Sequence, residues 1–474
     1  MKTVRRPLAA LCGTVALTAS LTLAPGGPAA VADRSDPVAP ATAVPDDQPL
    51  PGYTISNPPL APLQVGGGTT RVFQGVTQHA AYDVEVPPRW NGELVMWAHG
   101  YRGTGKVLTV DAPGYGLRQR FLDEGYAWAA SSYATNDYNV ATGVTTTRGL
   151  VDEAADLLGR RPSRTYLAGV SMGGHVIGRS LEQYPSTYAG ALPMCGVLGD
   201  QELFDYFLSY NLLAQDLADR ETYPPPADYL TDDVPVIQQR LGLTGLKPGG
   251  PDTTNEVGAQ LRDLTTDLTG GERPGADQAF SVWKDFLFTL YTPDNGGPLR
   301  ENAGRLAQNL DTVYSPATPV DVNASVRRVA PTDKRSRRTH SLTEVPRIEG
   351  RPQVPTLTLH GLGDLFVPFS MEQAYAREVG RHHRSGLLVQ RAIRAAGHCE
   401  FTPTEVGRAW DDLTAWVESR RTHGHGAVAR PAGDDVLDPA VVASPTYGCT
   451  FTDPTGYQQP QSFPTRRLYA PCPS

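Results

Sequence analysis

Apolar residues return along this chain in two rhythms. From about Thr70, short apolar runs of strand length alternate with stretches in which apolar positions recur every three or four residues. Residues 84–86, Glu93–Ala98, 126–130, 165–170 and 189–194 read as strands. Residues 117–124, 145–159 and the stretch from just after Ser171 to Tyr184 read as helices. In the second of these, Leu150, Ala154, Leu157 and Leu158 share one side. The alternation resumes late, with a strand at 354–359, a helix at 370–379, a strand at 387–393 and a helix at 403–420. Pro355 sits inside the first of these late strands. Either its missing N–H is not needed for pairing, or the strand begins after it. Alternating strands and helices predict an α/β fold, with a mostly parallel central sheet covered on both faces.

Between 201 and 350 that alternation stops. Helical patterns at Glu202–Leu217, 234–241 and 278–291 are separated by turn-rich segments such as Lys247-Pro248-Gly249-Gly250-Pro251. This interval is expected to be a large, mainly helical lid insertion between core segments 70–200 and 351–420. A separate regulatory or binding domain is the alternative. Residues 33–69 form a Pro-, Ala- and Asp-rich arm whose Pro58–Pro62 part is expected to lie against the body. Residues 421–474 return to loop composition.

Residues 1–32 stand apart. Lys2, Arg5 and Arg6 precede an Ala/Leu-rich run from Leu8 to about Leu23, and Ala30-Val31-Ala32 supplies a small-residue cleavage point. This is the pattern of a secretory signal peptide, and it predicts a secreted, extracellular protein. The run is too short and interrupted for a membrane anchor, and no later segment looks transmembrane. Removing it takes away three basic residues and no acidic ones, so the net charge goes from −8 to −11. That balance argues against a nucleic-acid partner.

Cys12 leaves with the leader. Cys195, Cys399, Cys449 and Cys472 remain, and four cysteines in an exported chain fit two disulfides in any of three pairings. Cys449 and Cys472 share the tail and are expected to pair, which leaves Cys195 with Cys399. A free buried thiol is the alternative for the second pair. The close Cys/His spacings of a metal site are missing, so no metal is expected.

The sharpest chemical signal is Gly169-Val170-Ser171-Met172-Gly173, set between a predicted strand and a predicted helix. A G-x-S-x-G turn in that context projects the serine hydroxyl from the end of the strand, and the following helix aims its first N–H groups at the same place. An oxyanion formed there needs two fixed donors. Met172 N–H is one candidate. Tyr101 N–H, after the strand ending at His99-Gly100, is the other. His99 itself is expected to be a buried structural residue.

The base is expected last in the chain, on the loop after the final strand. Ala396-Gly397-His398-Cys399 fits, with His398 as base. The acid is expected at Asp364, after the strand ending at Leu359-His360, with Asp200 as runner-up. Glu400 is read as a solvated loop carboxylate or helix-start partner. Phe204, Phe207 and Leu208 are candidate substrate-binding residues, although their helical spacing equally suits core packing. Trp283, Phe286, Phe288 and Tyr291 carry the same ambiguity.

At these residues the chain resembles the α/β-hydrolase superfamily, over roughly 75–200 and 350–420, and within it the secreted bacterial serine esterases and lipases. The resemblance implies a covalent acyl-enzyme, hydrolysis by water and no cofactor. The substrate is not read from the resemblance; a large lid instead favours a bulky, lipid-like or aromatic ester over a small one. A secreted serine peptidase or aminopeptidase of the same fold is a rival, although residues 99–101 lack the Gly-Gly-Pro oxyanion loop seen in some of these. An acyltransferase is a second rival, and a noncatalytic binding protein a third. A dehalogenase would require an aspartate at position 171. Oligomeric state is not legible.

Overall fold

The computed structural model describes residues 44–291, 302–423 and 429–472. The expected leader and the first part of the arm lie outside the described residues. From Val44 onward the chain is one compact unit.

The central sheet has eight strands: β1 (Arg71–Thr77), β2 (Ala80–Val86), β3 (Glu93–Ala98), β4 (Ala127–Ser131), β5 (Arg164–Val170), β6 (Gly190–Met194), β7 (Thr356–Gly361) and β8 (Leu388–Ile393). Their order across the sheet is β8-β7-β6-β5-β3-β4-β2-β1. Every neighbouring pair from β8 to β4 is parallel, and β2 runs against both β4 and β1. β2, β3, β4, β6, β7 and β8 are buried along their whole length, as a sheet covered on both faces requires. β7 begins after Pro355, whose carbonyl accepts Ala191 N–H at 3.0 Å, so the ring costs the ladder no donor.

Helices α1 (Leu117–Asp123), α2 (Val140–Leu157), α3 (Met172–Gln183), α8 (Ser370–Arg381) and α9 (Pro403–His423) flank the sheet. α2 starts five residues before its predicted beginning at 145, because Asn139 caps Thr142 N–H. α9 opens with a reciprocal cap. Thr402 Oγ1 accepts Glu405 N–H at 3.2 Å, and Glu405 accepts Thr402 N–H at 2.8 Å, with Pro403 at the first helical position. Its buried stripe of Val406, Ala409, Trp410, Leu413 and Trp416 packs on the sheet with Phe121 and Trp128. Full burial of each such large side chain is worth roughly 1.5–3 kcal/mol.

The regular structure of the insertion is helical among its described residues, with α4 (Glu202–Leu217), α5 (Val234–Arg240), α6 (Glu256–Leu268) and α7 (Ala276–Phe288) as its main helices and loops between and after them. α6 was not legible in the apolar pattern. α4 is buried on nearly every side and forms the centre of this layer.

The arm lies against the body, with Pro58 O accepting from Gln74 and Ala61 O from Arg118. The tail is mostly loop and turn among its described residues, as its composition suggests, yet it is packed into the body. Val436, Val442, Tyr447 and Tyr469 are buried with Leu362 and Ala396. Asp434 also pairs with the outer edge of β8 through Gln390 O and Ala392 N–H, which covers an otherwise open strand.

Candidate active site

Ser171 sits between β5 and α3 with φ 57° and ψ −123°, a left-handed backbone that a non-glycine residue holds only under tertiary constraint. The constraint is visible on both sides. A Cβ on Gly169 would lie 2.2 Å from Ala98 O, and one on Gly173 would lie 2.1 Å from the same atom. Only glycines let the turn press against the end of β3. Ser171 N–H donates to Met194 O at 3.0 Å, which pins the turn to β6.

The turn presents Ser171 Oγ 2.8 Å from His398 Nε2. His398 Nδ1 lies 2.6 Å from Asp364 Oδ2, so the ring donates to the carboxylate from Nδ1 and accepts from the serine at Nε2. Asp364 is fully buried, and its other oxygen accepts Phe366 N–H and Val367 N–H, each at 3.0 Å. Those two bonds fix the orientation of the carboxylate, and through it the ring. The structure therefore brings together three side chains from the ends of β5, β7 and β8.

Asp200 is elsewhere engaged. Its carboxylate accepts Ile348 N–H at 2.7 Å and Gln201 N–H, pinning the exit of the insertion to its return, and burial pushes its pKa up to about 7. His99 is buried and stacked on Tyr133 at 3.8 Å, with its pKa lowered to about 4 by burial and then by Arg102. The loop that follows it abuts the serine, since a Cβ on Gly100 would lie 3.1 Å from Ser171 Cβ. Met172 is the first residue of α3, where N–H groups have no partner within the helix. The two expected donors, Tyr101 and Met172, thus belong to segments that flank the serine.

Both cysteine pairs form disulfides, Cys195–Cys399 and Cys449–Cys472. Cys399 Sγ lies 3.4 Å from His398 Nε2. Cys195, His398 and Cys399 cluster within ligating distance of one another, but both sulfurs are spent in the disulfide and offer no thiolate to a metal.

Two sequence readings need correction. Glu400 is not a solvated carboxylate. It accepts from Thr465 Oγ1 at 2.8 Å, and burial raises its pKa. Phe204, Phe207 and Leu208 are fully buried and offer no surface to a ligand. Their apolar spacing reflects the core of α4. Leu212, Leu213, Phe288 and Tyr291 are core residues too.

The residues that the sequence did not disclose act around the imidazole. Phe366, two residues beyond Asp364, stands 4.9 Å from the His398 ring at 64°. Trp283, from α7, donates its indole N–H to Gly363 O at 3.1 Å and Ala396 O at 2.6 Å, bridging the loops of Asp364 and His398. Buried Arg273 adds a bond to Leu362 O at 2.6 Å, and Tyr206 one to Leu365 O at 3.1 Å. The insertion is thus hydrogen-bonded to the acid loop at three points. An aromatic two residues beyond a candidate acid was the one sequence signal for Phe366.

The sheet order, the lone reversed strand β2 and the strand–serine–helix turn define an α/β-hydrolase fold. No family model matches the chain. A stretch of 90 residues is 35% identical to an o-phthalyl amidase from Xanthobacter agilis, taking in 15% of this chain and 20% of that protein, so the chain spans about a fifth of the length of this relative. Among solved structures, the chain is similar to an esterase from Aspergillus oryzae at 14% identity and TM-score 0.39, covering 69% of this chain and 72% of that one. It is also similar to an acylaminoacyl peptidase from Pyrococcus horikoshii, at 10% identity and TM-score 0.37, covering 77% of this chain and 43% of that one.

Proposed function

We propose that this protein is a secreted serine hydrolase that cleaves carboxylic esters through an acyl-enzyme. The observation that carries the reading is the hydrogen-bonded chain from Ser171 through His398 to buried Asp364. His398 Nε2 takes the Ser171 proton as Oγ bonds to the acyl carbon. The carbonyl oxygen becomes an oxyanion held by the N–H groups of Met172 and Tyr101. As the intermediate collapses, the bond to the alcohol oxygen breaks and that oxygen leaves with the proton from His398. Water then attacks the acyl-enzyme, gives its proton to His398 and releases the acid, and Ser171 recovers its proton. Asp364 keeps the imidazole in the required tautomer throughout. The leader pattern and the two disulfides support export.

Amide hydrolysis is the second reading, favoured by the 35% identity to the o-phthalyl amidase over its 90-residue stretch. The same steps apply, with an amine leaving instead of an alcohol. The test is a panel of matched esters and amides, including aromatic acyl groups, against the mature protein and Ser171→Ala. Ester turnover that vanishes in a folded variant supports the reading. Amide turnover far above ester turnover replaces it with the second. Equal turnover in the variant removes Ser171 from the chemistry.

A further inference from the structure

The leaving atom of any substrate attacked by Ser171 must come within hydrogen-bond reach of His398 Nε2, because that nitrogen supplies its proton. Whatever walls the imidazole therefore walls the leaving group, whereas the acyl group lies on the far side of the serine. Here that wall is aromatic. Phe366 touches the imidazole at 4.9 Å, and Phe286 meets Phe366 edge-on at 5.0 Å and 84°. Trp283 stands 5.5 Å from Phe286 and 6.4 Å from Phe366.

The wall is held before any ligand arrives. Fully buried Phe207 stacks behind Phe366 at 6.1 Å and 22°. The Trp283 indole is fixed by Gly363 O and Ala396 O, and Phe366 N–H is fixed by Asp364. Its outer end is open. Phe286 is 37% exposed and is the one aromatic ring among the large apolar side chains left exposed in the described residues. Asp285, its neighbour along α7, is paired with Lys284 and Gln238. Half-buried Phe366 beside the proton donor and exposed Phe286 one ring further out form a fixed aromatic surface, which suits a flat, uncharged aromatic group that stacks or packs edge-on.

Resting on the serine-hydrolase reading, we infer that the leaving-group half of the substrate carries an aromatic ring, which packs against Phe366, Phe286 and Trp283. Such contacts discriminate about two- to tenfold per ring against a saturated group of equal size.

The test compares benzyl acetate with cyclohexylmethyl acetate, two esters of similar intrinsic reactivity and bulk. In the wild type, kcat/KM is expected to favour the benzyl ester by about tenfold. In Phe286→Leu and Phe366→Leu the preference falls towards parity, and in Phe286→Tyr it returns. The ratio of methyl benzoate to methyl cyclohexanecarboxylate, which varies only the acyl half, stays as in the wild type. Parity in the wild type overturns the inference. So does a preference that survives both leucine variants, or a leucine variant that shifts the acyl ratio instead. No turnover of benzyl acetate, with Ser171 still labelled by a fluorophosphonate, overturns it as well and leaves the serine reading standing. Turnover that persists in Ser171→Ala overturns the serine reading itself.

Discussion

The hydroxyl of Thr465 accepts the backbone N–H of Gly397, the residue before His398, at 3.0 Å. It also accepts Ala396 N–H at 2.8 Å and donates to Glu400 at 2.8 Å. The tail thus holds the loop that carries the imidazole. Thr465→Val leaves the N–H groups of buried Ala396 and half-buried Gly397 without this acceptor, at a cost of up to about 1–3 kcal/mol for a group shut off from water. It is expected to lower kcat by about ten- to a hundredfold by misplacing the ring, with KM little changed. Thr465→Ser, which keeps the hydroxyl, restores kcat. Steady-state kinetics decides the matter, since a tail that only adds stability would lower the melting temperature and leave kcat alone.

The Cys195–Cys399 disulfide braces the same loop from the other side. It links residues 204 apart in sequence, and a bond of this kind stabilises by about 2–4 kcal/mol. Cys195→Ala with Cys399→Ala is expected to lose about that much in urea unfolding, and kcat should fall because the sulfur beside His398 Nε2 is gone. Unchanged kcat in the folded double variant would show that the disulfide serves stability alone.

Gly100 and Gly173 predict different failures. A methyl group on Gly100 meets Ser171 Cβ at 3.1 Å and Oγ at 3.6 Å, so Gly100→Ala should cut kcat by about tenfold or more while the protein folds. A methyl group on Gly173 meets the Ala98 carbonyl at 2.1 Å, where only backbone can give way, so Gly173→Ala should fail to accumulate as folded protein. Soluble yield and circular dichroism separate the two outcomes.

Two buried histidines should each contribute a loss of stability on acidification. Burial lowers the pKa of both His99 and His175 from 6.5 to about 4. Between those values the unfolded chain binds protons that the folded chain refuses, so stability drops as pH falls from 6.5 towards 4. Asp200 acts in the opposite sense. Its pKa is raised from 3.8 to about 7, so the folded state gains stability as pH falls through 7. In His175→Gln the amide can still donate to Pro346 O, which the ring meets at 2.7 Å. Its stability–pH slope across the histidine window should be shallower by about one proton. Denaturant titrations from about pH 4 to 8 measure this, and identical slopes would contradict it.

The strand–serine–helix turn was readable because everything it needs is local: an apolar run, two small residues that allow close approach, and a helix to follow. Asp364 and His398 were readable as strand-end residues, since chain order stands in for distance in this architecture. The environment of His398 was not. Phe366 meets the ring itself, whereas Trp283 from the insertion and Thr465 from the tail hold the backbone of the loop that carries it, and no local pattern encodes those two long-range meetings. Phe204, Phe207 and Leu208 were open to both a pocket and a packing reading because apolar spacing on a helix looks the same whether it faces a ligand or a neighbour, and their burial fits packing. The near-complete burial of α4 matches a helix apolar on most of its circumference, which was the better signal. The tail looked empty because its few apolar residues are spread thinly and its grip on the core is mostly polar.

The central claim is that Ser171 is the nucleophile. Incubating the protein with diisopropyl fluorophosphate and mapping peptides by mass spectrometry tests it directly. A single diisopropylphosphoryl group on Ser171, lost in both Ser171→Ala and His398→Ala with fold retained, is the predicted result. An unlabelled Ser171 in folded protein, or equal labelling without His398, would contradict it.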